Sequence, residues 1–149
     1  FSQYENKNIQ KQCITNFSFT SFIYYLINCK NMWILKIGVV FSILSIVIGA
    51  VGAHALENII SDKIEVFKTA VQYQIFHALA LIMIGLIAKS YSLDLNLVAY
   101  LLIFGIILFS GSLYLISIFK ISFVGVITPV GGLLFISGWL LLLYNLYNI

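Results

Sequence analysis

Four apolar stretches dominate this chain from Trp33 onward: Trp33 to Ala53, Ala70 to Ala88, Leu97 to Phe119 and Val124 to Tyr144. Each runs for about the twenty residues that an α-helix needs to cross a hydrocarbon core of about 30 Å. The connections Lys89 to Asn96 and Lys120 to Phe123 are short, so consecutive spans are antiparallel neighbours. The pattern predicts an all-α polytopic membrane protein, a four-transmembrane-helix antiparallel bundle over residues 32–149. Lipid is then the solvent, and each polar residue within a span has to be read against hydrocarbon.

Composition supports that choice of solvent. Hydrophobic residues make up 62% of the chain and charged residues 9%, against about 25% charged in an ordinary soluble domain. So few charges could not give a chain of 149 residues a water-compatible surface. All eight basic residues are Lys, which removes the bidentate guanidinium grip on phosphate and carboxylate. With no basic stripe and most of the surface facing lipid, nucleic acid is excluded as a partner. The bilayer is the expected partner, followed by other membrane proteins or further copies of the chain.

Residues 1–31 are a different kind of sequence, rich in Asn, Gln, Lys and Ser before a mixed apolar run from Phe17 to Ile27 that is too short to span. Met32 stands just before the first strong apolar block and is the expected start of the core, which makes residues 1–31 an extension. A signal peptide is the second option, although no small-residue cleavage site stands around Asn28 to Asn31, and a surface arm is the third. Cys13 and Cys29 both fall in this segment and carry neither a metal pattern nor a disulfide framework.

The first span carries Gly38, Ser42, Ser45, Gly49 and Gly52 at alternating spacings of four and three, which places them on one helical face. Lipid supplies no hydrophobic drive between helices, so close approach at small residues holds such bundles together. Helix one is therefore expected near the bundle centre. Gly111 in Phe109-Ser110-Gly111-Ser112-Leu113-Tyr114 and Gly131 and Gly132 in Ile127-Thr128-Pro129-Val130-Gly131-Gly132 are further packing positions. Pro129 belongs in the first turn of helix four, where a missing N–H costs least; an earlier start would make it a kink. Between spans one and two, Leu56 to Lys68 reads as an amphipathic interfacial segment, with Ser61 as a possible cap. Trp33, Tyr144 and Tyr147 fit interfacial anchors.

The second span is the most polar. Thr69, Tyr73, His77 and Ala80 stack at helical spacing with Gln72 and Gln74 beside them, while Val71, Ile75, Leu79, Ile82 and Leu86 suit lipid or apolar packing. A polar side in a membrane turns inward, so Gln72, Tyr73 and His77 are expected to bond to neighbouring helices. His77 lies about 12 Å from the start of its span at 1.5 Å per residue. His54 and Glu57 enter from the same membrane face. Together they form a candidate polar cluster of His54, Glu57, Gln72, Tyr73 and His77. One reading makes His54, Glu57 and His77 a metal or proton site. The other ends helix one at His54, solvates Glu57 and leaves His77 donating across a helix pair. The second is the stronger expectation, with no metal and no cofactor.

Four motifs in order carry a resemblance: Gly49-Ala50-Val51-Gly52-Ala53-His54-Ala55-Leu56; Phe67-Lys68-Thr69-Ala70-Val71-Gln72-Tyr73-Gln74-Ile75-Phe76-His77-Ala78-Leu79-Ala80; Phe109 to Tyr114; and Ile127 to Gly132 with Gly138-Trp139. Over Met32 to Tyr144 the chain resembles the domain of unknown function 423 family, small YgdD- and YwdK-like bacterial inner-membrane proteins with eukaryotic relatives. The resemblance implies four membrane-spanning helices and brings no biochemical activity with it. The expected role is that of a small multi-pass protein of the cell (inner) membrane, or of a mitochondrial membrane in a eukaryote. It acts as a non-enzymatic subunit, assembly factor or interaction partner. The alternative is a small transporter or channel working as an oligomer. A metal-dependent intramembrane enzyme is the weakest of the three, since no Gly-x-Ser-x-Gly and no core cysteine supports nucleophilic catalysis.

Overall fold

The computed structural model describes residues 32–54 and 60–147, and Trp33–Ile149 forms one compact unit. The expectations for residues 1–31, for Cys13 and Cys29, and for Glu57 fall outside the described residues, as does the side chain of His54. Among the described residues, four helices are long and apolar enough to cross a membrane. They are α1 (Trp33–His54), α2 (Ile64–Ser90), α3 (Asn96–Phe119) and α4 (Thr128–Tyr147). Over the described residues the chain is all-α, with the four spans of a membrane protein.

The breaks between helices follow from local chemistry. After α2 the N–H of Leu93 bonds the carbonyl of Ala88 at 2.9 Å, with Ser92 in the left-handed region at φ 54°. Asp94 then accepts the N–H of Asn96 at 3.1 Å, satisfying one of the free donors of the α3 start. Lys120, at φ 58°, turns the chain out of α3. A 3-10 turn at Ser122–Val126 leads into α4. Pro129 is the second residue of that helix, so the first-turn placement holds and the kink does not arise. Within α3, Ile106–Ser110 is a π-helical stretch.

The start of α2 differs from expectation. A 3-10 turn at Ser61–Lys63 runs directly into α2, and no side chain caps either element. Ile60 and Phe67 are buried in the protein, so the apolar face of this segment is spent on the bundle, not on the membrane surface.

The packing also corrects the place of α1. In its most apolar stretch 22% of α1 is buried, the same share as α4, against 44% for α2 and 39% for α3. The inner pair is α2 and α3, with α1 packed along α2 and α4 along α3. The small-residue seam is real, but it serves one neighbour. A Cβ on Gly38 would stand 2.8 Å from the carbonyl oxygen of Ala78, and one on Gly52 would strike the ring of Phe67. Gly49 only touches Val71 at an ordinary 3.4 Å. The outer face of α1, with Val40, Ile43, Ile46 and Val47 exposed, is the lipid-facing surface of a protein of this class.

On the other inner contact, a Cβ on Gly131 would sit 2.5 Å from the backbone nitrogen of Phe109, which brings α3 and α4 together backbone to backbone. Gly132 has Phe109 at a relaxed 3.8 Å, and Gly111 has nothing within 4 Å. Gly111 is therefore not a contact point between helices of this chain: its missing side chain points into open space. Three close approaches lie outside the expected set: Gly85 against Leu35, Gly105 against the Phe135 ring and Gly138 against Leu102. The apolar centre joins all four helices through Ile34, Leu81, Ile84, Val98, Leu102 and Phe135.

Candidate functional site

The polar residues of the spans gather where α2 meets its neighbours. His77, buried on α2, places Nδ1 2.9 Å from the carbonyl oxygen of Tyr73. A carbonyl only accepts, so Nδ1 carries the proton and Nε2 is left as the acceptor. The indole N–H of Trp139 on α4 donates to that Nε2 at 3.4 Å. The imidazole also lies flat on Phe135 of α4, with centroids 3.5 Å apart and planes at 12°. Both ring nitrogens of a neutral His77 are thus engaged, one along its own helix and one across to α4.

Gln74 lies one turn away and is also buried. Its amide N–H donates to the carbonyl of Phe41 on α1 at 3.1 Å, and its amide oxygen accepts the hydroxyl of Tyr114 on α3 at 2.8 Å. One side chain therefore fastens three helices. The phenol of Tyr114 also packs on Phe67 at 5.5 Å. Ser45 donates from α1 to the carbonyl of Val71 on α2 at 3.2 Å. Ser112 of α3 and Thr128 of α4 share a hydrogen bond of 2.6 Å. Ser110 is buried, and its hydroxyl has no partner among the described residues. At the membrane face where α1 begins, the Trp33 indole donates to Asn96 at 2.9 Å and packs on Tyr100 at 5.0 Å, so this aromatic anchor also ties α1 to α3.

Of the expected cluster, the structure brings Tyr73 and His77 together and not Gln72. Tyr73 is 40% exposed and stacks between His77 and Phe109. Gln72 points outward, exposed, and makes no hydrogen bond among the described residues. The physical reason is angular. Successive helix residues are separated by about 100°, so a face centred on Gln74 and His77 carries Gln72 away from the bundle. Val71 and Ile82 meet α1 at Gly49 and Gly38, and Leu79 and Leu86 are exposed. The sequence pattern does not single out Tyr114 and Trp139, which complete the two interhelical bonds, and it makes Gln74 only a flank. The signal available is Gln74 with His77 at three-residue spacing.

Chemically, the arrangement holds helices in register. The donors and acceptors of Gln74 and His77 are matched across the helices, and the described residues include no group of three or more His, Cys, Asp or Glu side chains placed to hold a metal ion.

Comparison with known proteins agrees with a membrane protein. Residues 48–132 match the family described as "Protein of unknown function (DUF423)". The chain is 45% identical over 113 residues to a UPF0382 membrane protein of Staphylococcus haemolyticus, covering 75% of this chain and 93% of the relative. It is 41% identical over 109 residues to the UPF0382 membrane protein YwdK of Bacillus subtilis, covering 71% and 89%. No solved structure matches the chain.

Proposed function

This chain belongs to the DUF423 family of membrane proteins, and we propose that it serves as a non-enzymatic subunit or assembly partner of other membrane proteins in the cell membrane. The observation that carries the reading is the use of Gln74. A buried amide in a span is a candidate ligand by default, and here both ends of it are occupied by α1 and α3. His77 is engaged in the same way between its own helix and α4. Gln74 and His77 are taken up in joining the helices, and what the bundle offers to others is its outer surface.

The test is purification of the full chain at native abundance in a gentle detergent, with identification of what comes with it. A membrane protein recovered in fixed stoichiometry is the expected result. A chain that elutes alone as a monomer from every gentle detergent sinks the reading.

A second reading, a small transporter or channel acting as an oligomer, draws on one observation: Gln72 is a polar residue on the outer face of α2. A neighbouring copy could cover it and line a path. Ion flux through vesicles holding the purified protein, lost on Gln72→Leu, would favour that reading over the first.

A further inference from the structure

We propose that the connection between α3 and α4, residues 120–127, is seated in lipid at the acyl–headgroup boundary and forms an interaction surface for the bilayer itself. Two observations carry this. The first is the character of its exposed side chains: Ile121 is 45% exposed, Phe123 84%, Val126 72% and Ile127 41%. Connecting loops that face water are polar, and the α2–α3 connection fits that description, exposing Ser92 and Asp94 while Leu95 is buried in the core. The α3–α4 connection inverts it. Exposed apolar side chains also stand on the helices either side of it, Leu115 and Phe119 on α3 and Val130 and Leu133 on α4. On spanning helices such side chains face lipid, so lipid is the occupant that reaches the connection.

The second observation is where the backbone bonds go. A segment at the acyl–headgroup boundary leaves some N–H groups to water and headgroups and bonds others within the chain. The Ile121 N–H bonds the carbonyl of Leu115 at 3.5 Å, that of Val124 the carbonyl of Ile121 at 3.4 Å, and that of Ile127 the carbonyl of Val124 at 3.0 Å. The N–H groups of Val130 and Gly131 both reach the carbonyl of Ile127, at 3.1 and 3.2 Å. The single charged residue here, Lys120, pairs with Asp62 at the start of the α2 unit, which lowers the cost of holding an ammonium at the membrane boundary. Aromatic and aliphatic side chains held this way sit about 5–10 Å into the interface.

The full chain carrying Cys13→Ser and Cys29→Ser, with one new thiol at Phe123→Cys, is labelled with a bimane fluorophore. It is reconstituted in phosphatidylcholine vesicles that contain lipid brominated high on the acyl chain. The same chain with Ser90→Cys, at the polar end of α2, is the comparison. The expected result is quenching by brominated lipid about threefold stronger at position 123 than at position 90, with the order reversed for aqueous iodide. Equal iodide quenching at both positions would place the loop in water and overturn the proposal. A label at 123 shielded from both quenchers would place protein, a second copy, over the loop and overturn it equally. Should Phe123→Cys fail to insert, Val126→Cys gives the same readout from a neighbouring exposed position.

Discussion

His77 and Trp139 lie 62 residues apart and meet through a single hydrogen bond, the indole N–H donating to Nε2 at 3.4 Å. That bond is long and contributes little by itself. The stacking of the same imidazole on Phe135 at 3.5 Å is the larger part of what joins α2 to α4 here. The pair is a registration device: the indole finds an acceptor only when α4 stands at one height and one rotation against α2.

Removing His77 should therefore cost more than removing its hydrogen bond. His77→Leu leaves the Trp139 N–H unpaired and ends the flat ring contact, and is expected to lower stability by about 1–2 kcal/mol, while Trp139→Phe lowers it by about 0.6 kcal/mol. The double variant should fall short of the sum, because both changes break one contact. Unfolding in mixed micelles with rising denaturing detergent reads all three. Strict additivity would show that the two side chains do not interact.

Gln74 is the more demanding position, because its substitution orphans two partners. Gln74→Leu frees the Tyr114 hydroxyl and withdraws a donor from the Phe41 carbonyl, and should cost about 2 kcal/mol, against about 1 kcal/mol for Tyr114→Phe. Unfolding in mixed micelles reads both variants, and equal losses for Gln74→Leu and Tyr114→Phe would contradict the double role of the amide.

The sequence is most legible where a physical requirement is one-dimensional. Span length against bilayer thickness places all four helices, and the missing proline N–H places Pro129 in the first turn of α4. It is least legible where the requirement is angular or concerns a partner. Gln72, Tyr73 and Gln74 are consecutive, and only the direction of the neighbouring helices decides which of them is inside. The seam on α1 shows that something packs closely there, not that one helix alone does so. Glycine motifs also look alike in sequence, whether a backbone crosses them, as at Gly131, or nothing does, as at Gly111.

That last contrast gives a paired test. Gly131→Ala forces a methyl to within 2.5 Å of the Phe109 backbone, where no side-chain rotation can relieve it, and should cost about 1–3 kcal/mol. Gly111→Ala meets open space and replaces a poor helix former, so it should be neutral or stabilising by up to about 1 kcal/mol. The midpoint of thermal aggregation in detergent separates the two. Equal losses would mean that Gly111 also lies under a close contact.

Lysine placement gives a slight lean toward one orientation. Four spans put the start of α1, the α2–α3 connection and the end of α4 on one membrane face; in the sequence, Lys36 and Lys89 go with these ends, Lys30 comes just before α1, and Lys7 and Lys11 come earlier. The other face holds Lys63, Lys68 and Lys120. Lysines near span ends stay on the cytoplasmic side, and acids count for little in that rule, so both termini are expected in the cytoplasm. The lipid-seated connection at residues 120–127 then belongs to the outer leaflet. In a chain carrying Cys13→Ser and Cys29→Ser, a membrane-impermeant maleimide applied to intact cells should react with Ser61→Cys and leave Ser90→Cys untouched until the cells are opened. The reverse pattern would invert the protein. Half-reaction at both sites would mean that the lysine difference is too small to fix one direction of insertion, which is the physical weak point of a chain whose two faces differ by so few charges.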